Sequence, residues 1–223
     1  MKLNEILKAG HIVPAIWPVD FDTAANPGDF VSLSNYAYGL VVIQIGVTTG
    51  TAVVTMDKAA TVAGGTTTLA FTKYYRTGMK LPITGATGDF TIGETVTGTT
   101  SAEEGYVVID GGNALYLHTV GATGWTDGET VTGGTSGVTC TVDGSAVDED
   151  ILLEATATSD TFTIPAVSNR TYAIPIDADS LGDGYTAMQL DVASASAGCI
   201  GSAFYALFQG RYNKYPMPSA IYD

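Results

Sequence analysis

The chain has 223 residues, of which 45% are hydrophobic and only 14% are charged, and its formal net charge is −14. This apolar share can build a packed core, which excludes a disordered acidic tail, and the length suits one large β-domain or two small ones. Nine Lys and Arg residues stand against 23 Asp and Glu residues. Too few cations are present to neutralise DNA phosphates or to bind an anionic membrane surface. We therefore predict neither nucleic acid nor membrane among the partners.

The N-terminus predicts a short helix at residues 3–9, in which Leu3, Ile6 and Leu7 share one face and Gly10 closes the last turn. This segment lacks the long apolar region of a signal peptide. No apolar run reaches the roughly 18 residues that a transmembrane helix needs. We expect synthesis in the cytoplasm and use as a soluble or assembled protein.

An extended segment follows at residues 11–20. Pro14 and Pro18 cannot donate to a β-ladder, so this stretch predicts an edge segment rather than a central strand. The sequence NPGD at residues 26–29 is a strong turn signal, and residues 30–33 predict the next strand.

The most apolar stretch of the first third is residues 40–46. Its unbroken run predicts a strand that is buried on both faces, and residues 52–56 predict its hairpin partner. Residues 67–76 alternate apolar and polar side chains and predict a further strand.

The central part of the chain carries a duplicated motif. The sequence GETVTG at residues 93–98 recurs 35 residues later at 128–133, and an aromatic residue precedes each copy, Phe90 or Trp125. Each copy predicts a short strand between two Gly-rich turns, so the pair forms a duplicated hairpin. Two copies are too few for a solenoid. We predict a small inserted β-module at residues 81–148 and expect Phe90 and Trp125 to face outward, into solvent or against another surface.

A third hairpin is predicted between the two copies. Residues 106–109 and 114–120 flank the turn sequence DGGN, whose residues tolerate positive φ. Cys140 and Cys199 fall in separate predicted strands. We expect two free buried thiols, with one disulfide as the alternative.

The chain returns to a denser apolar pattern from residue 149. Met188, Leu190 and Val192 alternate with polar residues and predict a strand. Residues 200–208 predict a strand, with a short helix as the alternative. The last stretch, residues 209–223, is an arm punctuated by prolines that packs back on its own sheet or reaches a partner. Shorter strands are predicted at residues 151–153, 160–165 and 171–176.

These elements predict an all-β fold. We expect a β-sandwich or jelly-roll-like main domain formed by residues 1–80 and 149–223, with an arm at each end. The Gly- and Thr-rich module at residues 81–148 is expected as an insertion in that domain.

The sequence shows no catalytic constellation. No Gly-x-Ser-x-Gly elbow is present, and only His11 and His118 could serve as a base. The strand pattern around His118 favours a structural histidine. We predict no enzyme, and neither a cofactor nor a metal ion.

A loop of three aspartates invites a calcium hypothesis. Asp177, Asp179 and Asp183 lack the Gly and Glu of an EF-hand loop. We expect these side chains to cap their own turns instead. The tyrosines that could stack on sugars are more typical of half-buried strand positions. They are Tyr36, Tyr38, Tyr74 and Tyr75.

Several short sequence stretches near the two ends of the chain carry a resemblance to a known family. At the N-terminus they are GHIVPAI at residues 10–16, PVD at 18–20 and AANPGDFVSLSNY at 24–36. At the C-terminus they are GSAFYAL at 201–207, RY at 211–212 and PMPSAI at 216–221. Together they resemble a family of tailed-phage virion proteins encoded near the capsid genes. The resemblance covers residues 10–76 and 177–223, and the GETVTG hairpin is similar to small modules of phage structural proteins.

The resemblance implies a structural role in the virion and carries no catalytic residues. It favours a capsid decoration or cement protein on the outer face of the shell, with the major capsid protein as partner and a homo-trimer or homo-dimer as the assembled form. We expect the partner contacts in the two arms, although packing within the subunit is an equal alternative. The expected contact residues are Ile12, Val13, Ile16, Trp17, Tyr212, Tyr215, Met217 and Ile221.

Three other functions stay open at the level of sequence. A tail or neck component would assemble as a ring or tube. A receptor-binding module would hold a cell-surface glycan on exposed aromatic side chains. A secreted carbohydrate-active enzyme would need a pair of carboxylates in a groove.

Overall fold

The structure is a computed structural model that describes residues 10–119, 124–144, 148–210 and 220–221, with only the backbone of residues 148–150. The predicted helix at residues 3–9 and most of the C-terminal arm lie outside these residues. The described chain is nearly all-β, which confirms the predicted fold class, and its helical content is one 3₁₀ turn.

The strands are numbered in chain order. They are β1 (Gly10–Asp20), β2 (Asn26–Pro27), β3 (Val31–Ser32), β4 (Tyr36–Thr48), β5 (Ala52–Ala59), β6 (Thr67–Thr68), β7 (Lys73–Thr84), β8 (Thr95–Gly98), β9 (Glu104–Asp110), β10 (Ala114–Thr119), β11 (Thr130–Gly133), β12 (Thr139–Val142), β13 (Asp148–Thr156), β14 (Phe162–Ile164), β15 (Arg170–Asp177), β16 (Ala187–Val192) and β17 (Cys199–Gly210). The 3₁₀ turn η1 (Ala178–Leu181) follows β15.

The chain divides into two compact units. The first unit contains residues 1–74 and 156–223, and the second contains residues 75–155. Cys140 belongs to the second unit and Cys199 to the first, and both are buried free thiols, as expected.

The first unit is sandwich-like and contains two antiparallel sheets. One sheet has the strand order β1-β17-β4-β15, and the other has the order β14-β5-β16-β2, with β3 beside β16 and β6 beside β5. The predicted hairpin of β4 with β5 is wrong. The turn after β4 carries the chain from one sheet to the other, so β4 pairs with β15 and β17, while β5 pairs with β16, β14 and β6.

The core of the first unit lies between the inward faces of these sheets. Val41, Ile43 and Ile45 of β4 are buried, but Gln44 is exposed and Leu40 and Val42 are only half-buried. The prediction that this strand is buried on both faces is therefore wrong, because only one side of its sheet faces the core. On β16, the predicted inward residues are all fully buried, namely Met188, Leu190 and Val192.

Tyr205 connects the first sheet to the second and to the turn at residues 26–29. Its buried hydroxyl accepts a hydrogen bond from the Leu190 N–H at 2.8 Å and donates one to the Asp29 carbonyl at 3.0 Å. Gly28 lies so close that a Cβ there would stand 3.1 Å from the same hydroxyl. A side chain at this turn position would therefore have to displace the Tyr205 hydroxyl or the Ala15 carbonyl, which lies 3.0 Å from the same Cβ position.

The second unit contains a closed six-stranded antiparallel barrel. Its strand order is β7-β10-β9-β8-β11-β12, and β12 pairs back with β7 through Val142 and Ile83. β13 also pairs with β7. Both predicted hairpins of the duplicated motif are present, as β8 with β9 and β11 with β12. Closure removes the free edges that two isolated hairpins would expose.

The barrel has its own hydrophobic core, and the two motif aromatics belong to it. Phe90 is 4% exposed and Trp125 is 9% exposed. The expectation that they face outward is therefore wrong. Each lies just before its hairpin, and closing the barrel turns the ring inward. The core cluster comprises Met79, Leu81, Ile83, Phe90, Val96, Val107, Leu115, Leu117, Trp125, Val131, Cys140 and Val142.

The two repeats are related by an approximate two-fold axis. Thr97 of β8 pairs with Thr132 of β11, its own equivalent 35 residues later. Backbone bonds recur at the same offset: the Gly93 N–H donates to the Val107 carbonyl at 2.7 Å, and the Gly128 N–H donates to the Val142 carbonyl at 3.0 Å. The duplicated sequence therefore encodes two halves of one barrel.

Each repeat supplies a buried glutamate to the turn of the other repeat. The Glu94 carboxylate accepts bonds from the backbone N–H groups of Thr135 and Ser136 at 2.9 and 2.8 Å. Burial alone would raise the pKa of Glu94, but hydrogen bonds from Ser136, Thr135 and Thr91 outweigh it and hold the pKa below its ordinary value.

The second glutamate repeats this arrangement. Glu129 accepts from the backbone N–H groups of Thr100 and Ser101 at 3.0 and 2.9 Å. Its pKa is also lowered: burial opposes the shift, while bonds from Ser101, Thr126 and Thr100 produce it. The motif glutamates therefore join the two halves of the barrel, a role that their sequence context did not predict.

Candidate partner-binding face

The outer side of the first sheet in the sandwich-like unit is apolar. Residues of β17 alternate, so that Ala203, Tyr205 and Leu207 point into the core while Phe204 and Phe208 point outward. The same alternation runs through the neighbouring strands. The outward positions that we call the apolar face are Ile12, Pro14, Trp17, Tyr38, Leu40, Val42, Pro175, Ile200, Phe204 and Phe208.

The strand register joins most of this face into one patch, and the outward polar pair Ser202 and Gln44 lies between Phe204 and Ile200. Ile12 lies opposite Ala206, Ala206 lies opposite Leu40, and Leu40 lies opposite Pro175. One step along the strands, Phe208 lies opposite Tyr38. Apolar side chains thus run across four neighbouring strands without a charged residue between them.

Several members of the apolar face are well exposed. Trp17 is 73% exposed and Ile12 is 60% exposed, and Tyr38, Ile200 and Phe208 are exposed as well. Scattered exposed apolar residues are normal on a protein surface, but a contiguous group of this size is typical of an interaction site.

The structure divides the predicted N-terminal contact residues between two sides of β1. Ile12 and Trp17 lie on the apolar face, whereas Val13 and Ile16 are buried in the core of the same unit. Val13 lies opposite Tyr205 and Ile16 opposite Ala203, both of which point inward. Strand alternation therefore leaves only Ile12 and Trp17 of this set accessible to a partner.

Most of the predicted C-terminal contact residues, Tyr212, Tyr215 and Met217, lie outside the described residues. Ile221 is described and is 40% exposed. The carbonyl of its buried neighbour Ala220 accepts a hydrogen bond from the Ser32 N–H at 2.6 Å. The chain is thus held against the second sheet at this point.

Among the described strands β1 forms the outer edge of the first sheet, and this edge is unsuited to strand addition. β1 pairs on one side with β17, and its register shifts twice, between Pro14 and Ile16 and between Ile16 and Val19. Pro14 and Pro18 carry no N–H group. Bulges and prolines are the features by which proteins protect edge strands, so a partner would meet the side chains of the face rather than this backbone edge.

The outer side of the second sheet is polar by contrast. Asp57 of β5 lies opposite Gln189 of β16, and Asp191 lies opposite Thr55, so the two carboxylates are diagonal neighbours. Burial raises the pKa of Asp57, and the charge of Asp191 raises it further. Burial also raises the pKa of Asp191, one of whose oxygens is buried without a hydrogen bond. The two sides of the sandwich-like unit therefore differ sharply in polarity.

Sequence reasoning did not select Tyr38, Ile200 or Phe208 as contact residues. Residues 40–46 and 200–208 were predicted as apolar strands, but the sequence did not distinguish their outward-pointing side chains from those in the core. The available signal was the length of these runs, because a strand with one buried face needs apolar residues only at alternate positions.

The two histidines occupy structural positions. His11 is 2.9 Å from the Tyr36 hydroxyl through Nδ1. His118 is buried in the second unit with Nε2 3.3 Å from the Leu153 carbonyl, and burial, followed by the charge of Arg76, lowers its pKa to about 4. This is the position expected of a structural histidine.

The aspartate loop caps its own turn, as expected. The Asp177 carboxylate accepts a hydrogen bond from the Asp179 N–H at 3.0 Å at the start of η1. Within the described part of the chain, no group of three His, Cys, Asp or Glu side chains is placed to hold a metal ion. The same residues include no helix with the length and apolar character needed to cross a membrane.

Fold and face together define an all-β protein with a sandwich-like unit, one barrel that contains both copies of the repeated motif, and an exposed apolar sheet surface. No protein family matches the sequence, and neither a curated protein nor a solved structure matches the chain.

Proposed function

We propose that this chain is a structural virion protein of a tailed phage, and specifically a decoration or cement protein that binds the outer face of the major capsid shell. The observation that carries the proposal is the apolar face, which exposes Ile12, Trp17, Tyr38, Ile200 and Phe208 on one side of the first unit. The resemblance of both chain ends to phage virion proteins supports the same function.

A cement protein acts because its binding is coupled to assembly of the shell. A ligand that binds the assembled shell and not the free capsid subunits stabilises assembly in proportion to its affinity and concentration. The apolar face supplies the driving force, at about 25 cal/mol for each Å² of apolar surface removed from water. A specific interface of this kind buries at least roughly 1,000 Å² in total.

The charge of the chain fits an exterior position. A net charge of −14 repels DNA and keeps copies from aggregating in solution. Binding as a homo-trimer or homo-dimer would match symmetry axes of the shell. The major capsid protein is the proposed partner in either case.

Electron cryo-microscopy of particles that contain this chain tests the proposal, with its copies counted against the major capsid protein. We expect many copies spread over the whole shell, with the apolar face turned toward the capsid. Particles carrying Trp17→Asp should lose these copies, whereas particles carrying Thr23→Asp, a change at an exposed loop residue, should keep them.

Other locations of the chain would contradict the proposal. A few copies confined to one vertex or to the tail would identify a neck, tail or receptor-binding part instead. Full decoration with the apolar face turned to solvent would leave the decoration function standing and would exclude this face as the contact.

A further inference from the structure

The apolar face contains an open depression at one end. Tyr38, Leu40, Pro175 and Phe208 line it together with the backbone beside them, and its volume is about 460 Å³. This lies within the range of roughly 300–1,000 Å³ typical of pockets that enclose a drug-sized ligand. We call this depression the notch.

One carboxylate lies at the rim of the notch. Asp177 lines it directly and is exposed, and Asp179 and Asp183 follow in the exposed loop that begins with η1. Lys58 reaches the far end of this loop, where its ammonium donates to the Leu181 carbonyl at 2.7 Å and lies 4.5 Å from the centre of the Tyr185 ring. Among the residues that the structure describes, no basic side chain lines the notch.

We propose that the notch receives a segment of the major capsid protein in which a large apolar side chain is flanked by Lys or Arg. This inference rests on the proposed function and adds the chemistry of the contact. The apolar walls fit an aliphatic or aromatic side chain, and the carboxylate of Asp177 fits a cation beside it.

Two features favour insertion of side chains over strand addition. The outer edge of β1 has two register shifts and contains Pro14 and Pro18, which carry no N–H group. An incoming strand could therefore not form a regular series of backbone hydrogen bonds with it. The notch lies where β4, β15 and β17 run side by side, and β4 is paired on both edges there, by β15 and by β17, so its backbone offers no free ladder.

Rebinding of the purified chain to shells that lack it tests the proposal. Phe208 lines the notch, and Val53 lies on the polar side of the unit, and both are 40% exposed, so Phe208→Asp and Val53→Asp form a matched pair. We expect at least a tenfold loss of affinity for Phe208→Asp and no change for Val53→Asp. Pro175→Arg, at an exposed position, serves as a second notch variant should Phe208→Asp fail to fold.

The charge at this rim is tested through the salt dependence of the same binding. Asp177→Asn with Asp179→Asn keeps a side-chain oxygen at position 177 to cap η1 and removes two charges. We expect several-fold weaker binding at low salt and a smaller difference at high salt, because screening already weakens the charge pairs.

The outcomes separate the two proposals. If the unaltered chain binds shells and the Phe208→Asp and Pro175→Arg variants bind equally well, the notch is not the contact and the decoration function stands. If the unaltered chain does not bind shells, the proposed function falls and this inference falls with it. A salt response that the aspartate changes leave intact would exclude a basic partner residue at this rim.

Discussion

The Ser136 hydroxyl donates a hydrogen bond of 2.7 Å to the Glu94 carboxylate, from one sequence repeat to the other. Ser101 and Glu129 form the reciprocal bond at 2.9 Å. Because Glu94 is 5% exposed and Glu129 is 4% exposed, both carboxylates depend on these donors in place of water. The barrel is thus fastened by two equivalent buried contacts.

Glu94→Gln should destabilise the barrel by about 1.5–3 kcal/mol, because it removes the charge from hydrogen bonds made to a buried carboxylate. Denaturant unfolding followed by the fluorescence of Trp125 measures the effect. A Trp17→Phe background leaves Trp125 as the only tryptophan. Glu104→Gln, at an exposed position on β9, is the control. Equal stability of the two variants would show that the buried contacts contribute little.

Acid should unfold the barrel through the same two glutamates. Their pKa values are lowered on folding, so their contribution is complete above the ordinary glutamate pKa of about 4.3 and is lost as pH falls through the lowered values. Melting temperatures of the barrel between pH 7 and pH 2 should therefore drop most steeply below about pH 4. The double variant Glu94→Gln with Glu129→Gln should show a clearly smaller drop, and an unchanged pH profile would contradict this linkage.

Ala102→Gly should stabilise the barrel by about 0.5–1 kcal/mol, because alanine has strain in the left-handed region that glycine lacks. Ala102 has φ of 55°, and the equivalent residue of the second repeat is Gly137 with φ of 69°. The opposite change, Gly137→Ala, should cost about 1 kcal/mol for the same reason. Equilibrium unfolding of both variants measures the two values, and the same sign for both would refute the explanation.

Asp57→Asn should raise the melting temperature of the first unit at pH 7. The pKa of Asp57 is raised on folding by burial and by Asp191, so ionising it opposes folding at neutral pH. This penalty disappears as pH falls through the raised pKa, so the benefit of the substitution should shrink toward pH 4. Asp22→Asn, at an exposed position outside the pair, is the control. A benefit that is independent of pH would rule out charge as its cause.

Tyr205→Phe should destabilise the first unit by about 1–3 kcal/mol, because it deprives the Leu190 N–H and the Asp29 carbonyl of their buried partner. Thermal unfolding measured by circular dichroism tests this value. Tyr38→Phe removes a hydroxyl from an exposed ring and is the matched control. Similar melting temperatures for the two variants would mean that water replaces the lost bonds.

Local sequence patterns predicted much of the first unit. Pro14 and Pro18 placed β1 at a sheet edge, since a residue without an N–H group cannot sit in a central ladder. Alternation of apolar residues located β16 and its inward face. These predictions depend only on near neighbours along the chain, and for that reason they succeeded.

Contacts between distant residues were not predictable in the same way. Glu94 was part of a recognised motif, but its donors Thr135 and Ser136 lie 41 and 42 residues further along the chain. Phe90 and Trp125 were expected outside because nothing near them shows that the barrel closes over their rings. The pairing of β4 with β15 and β17 instead of β5 has the same origin.

The sequence by itself determined the all-β class, the edge position of β1 and the two equivalent hairpins, because periodicity, prolines and turn residues act over a few positions. Only the tertiary structure decided the closure of the barrel, the exchange of Glu94 and Glu129 between repeats, and which half of β4 and β17 faces outward. The alternating directions of side chains along a strand show only that the strand has two faces. Which face becomes buried depends on the sheets that pack against it, and that choice is the sum of many weak contacts between residues far apart in the chain.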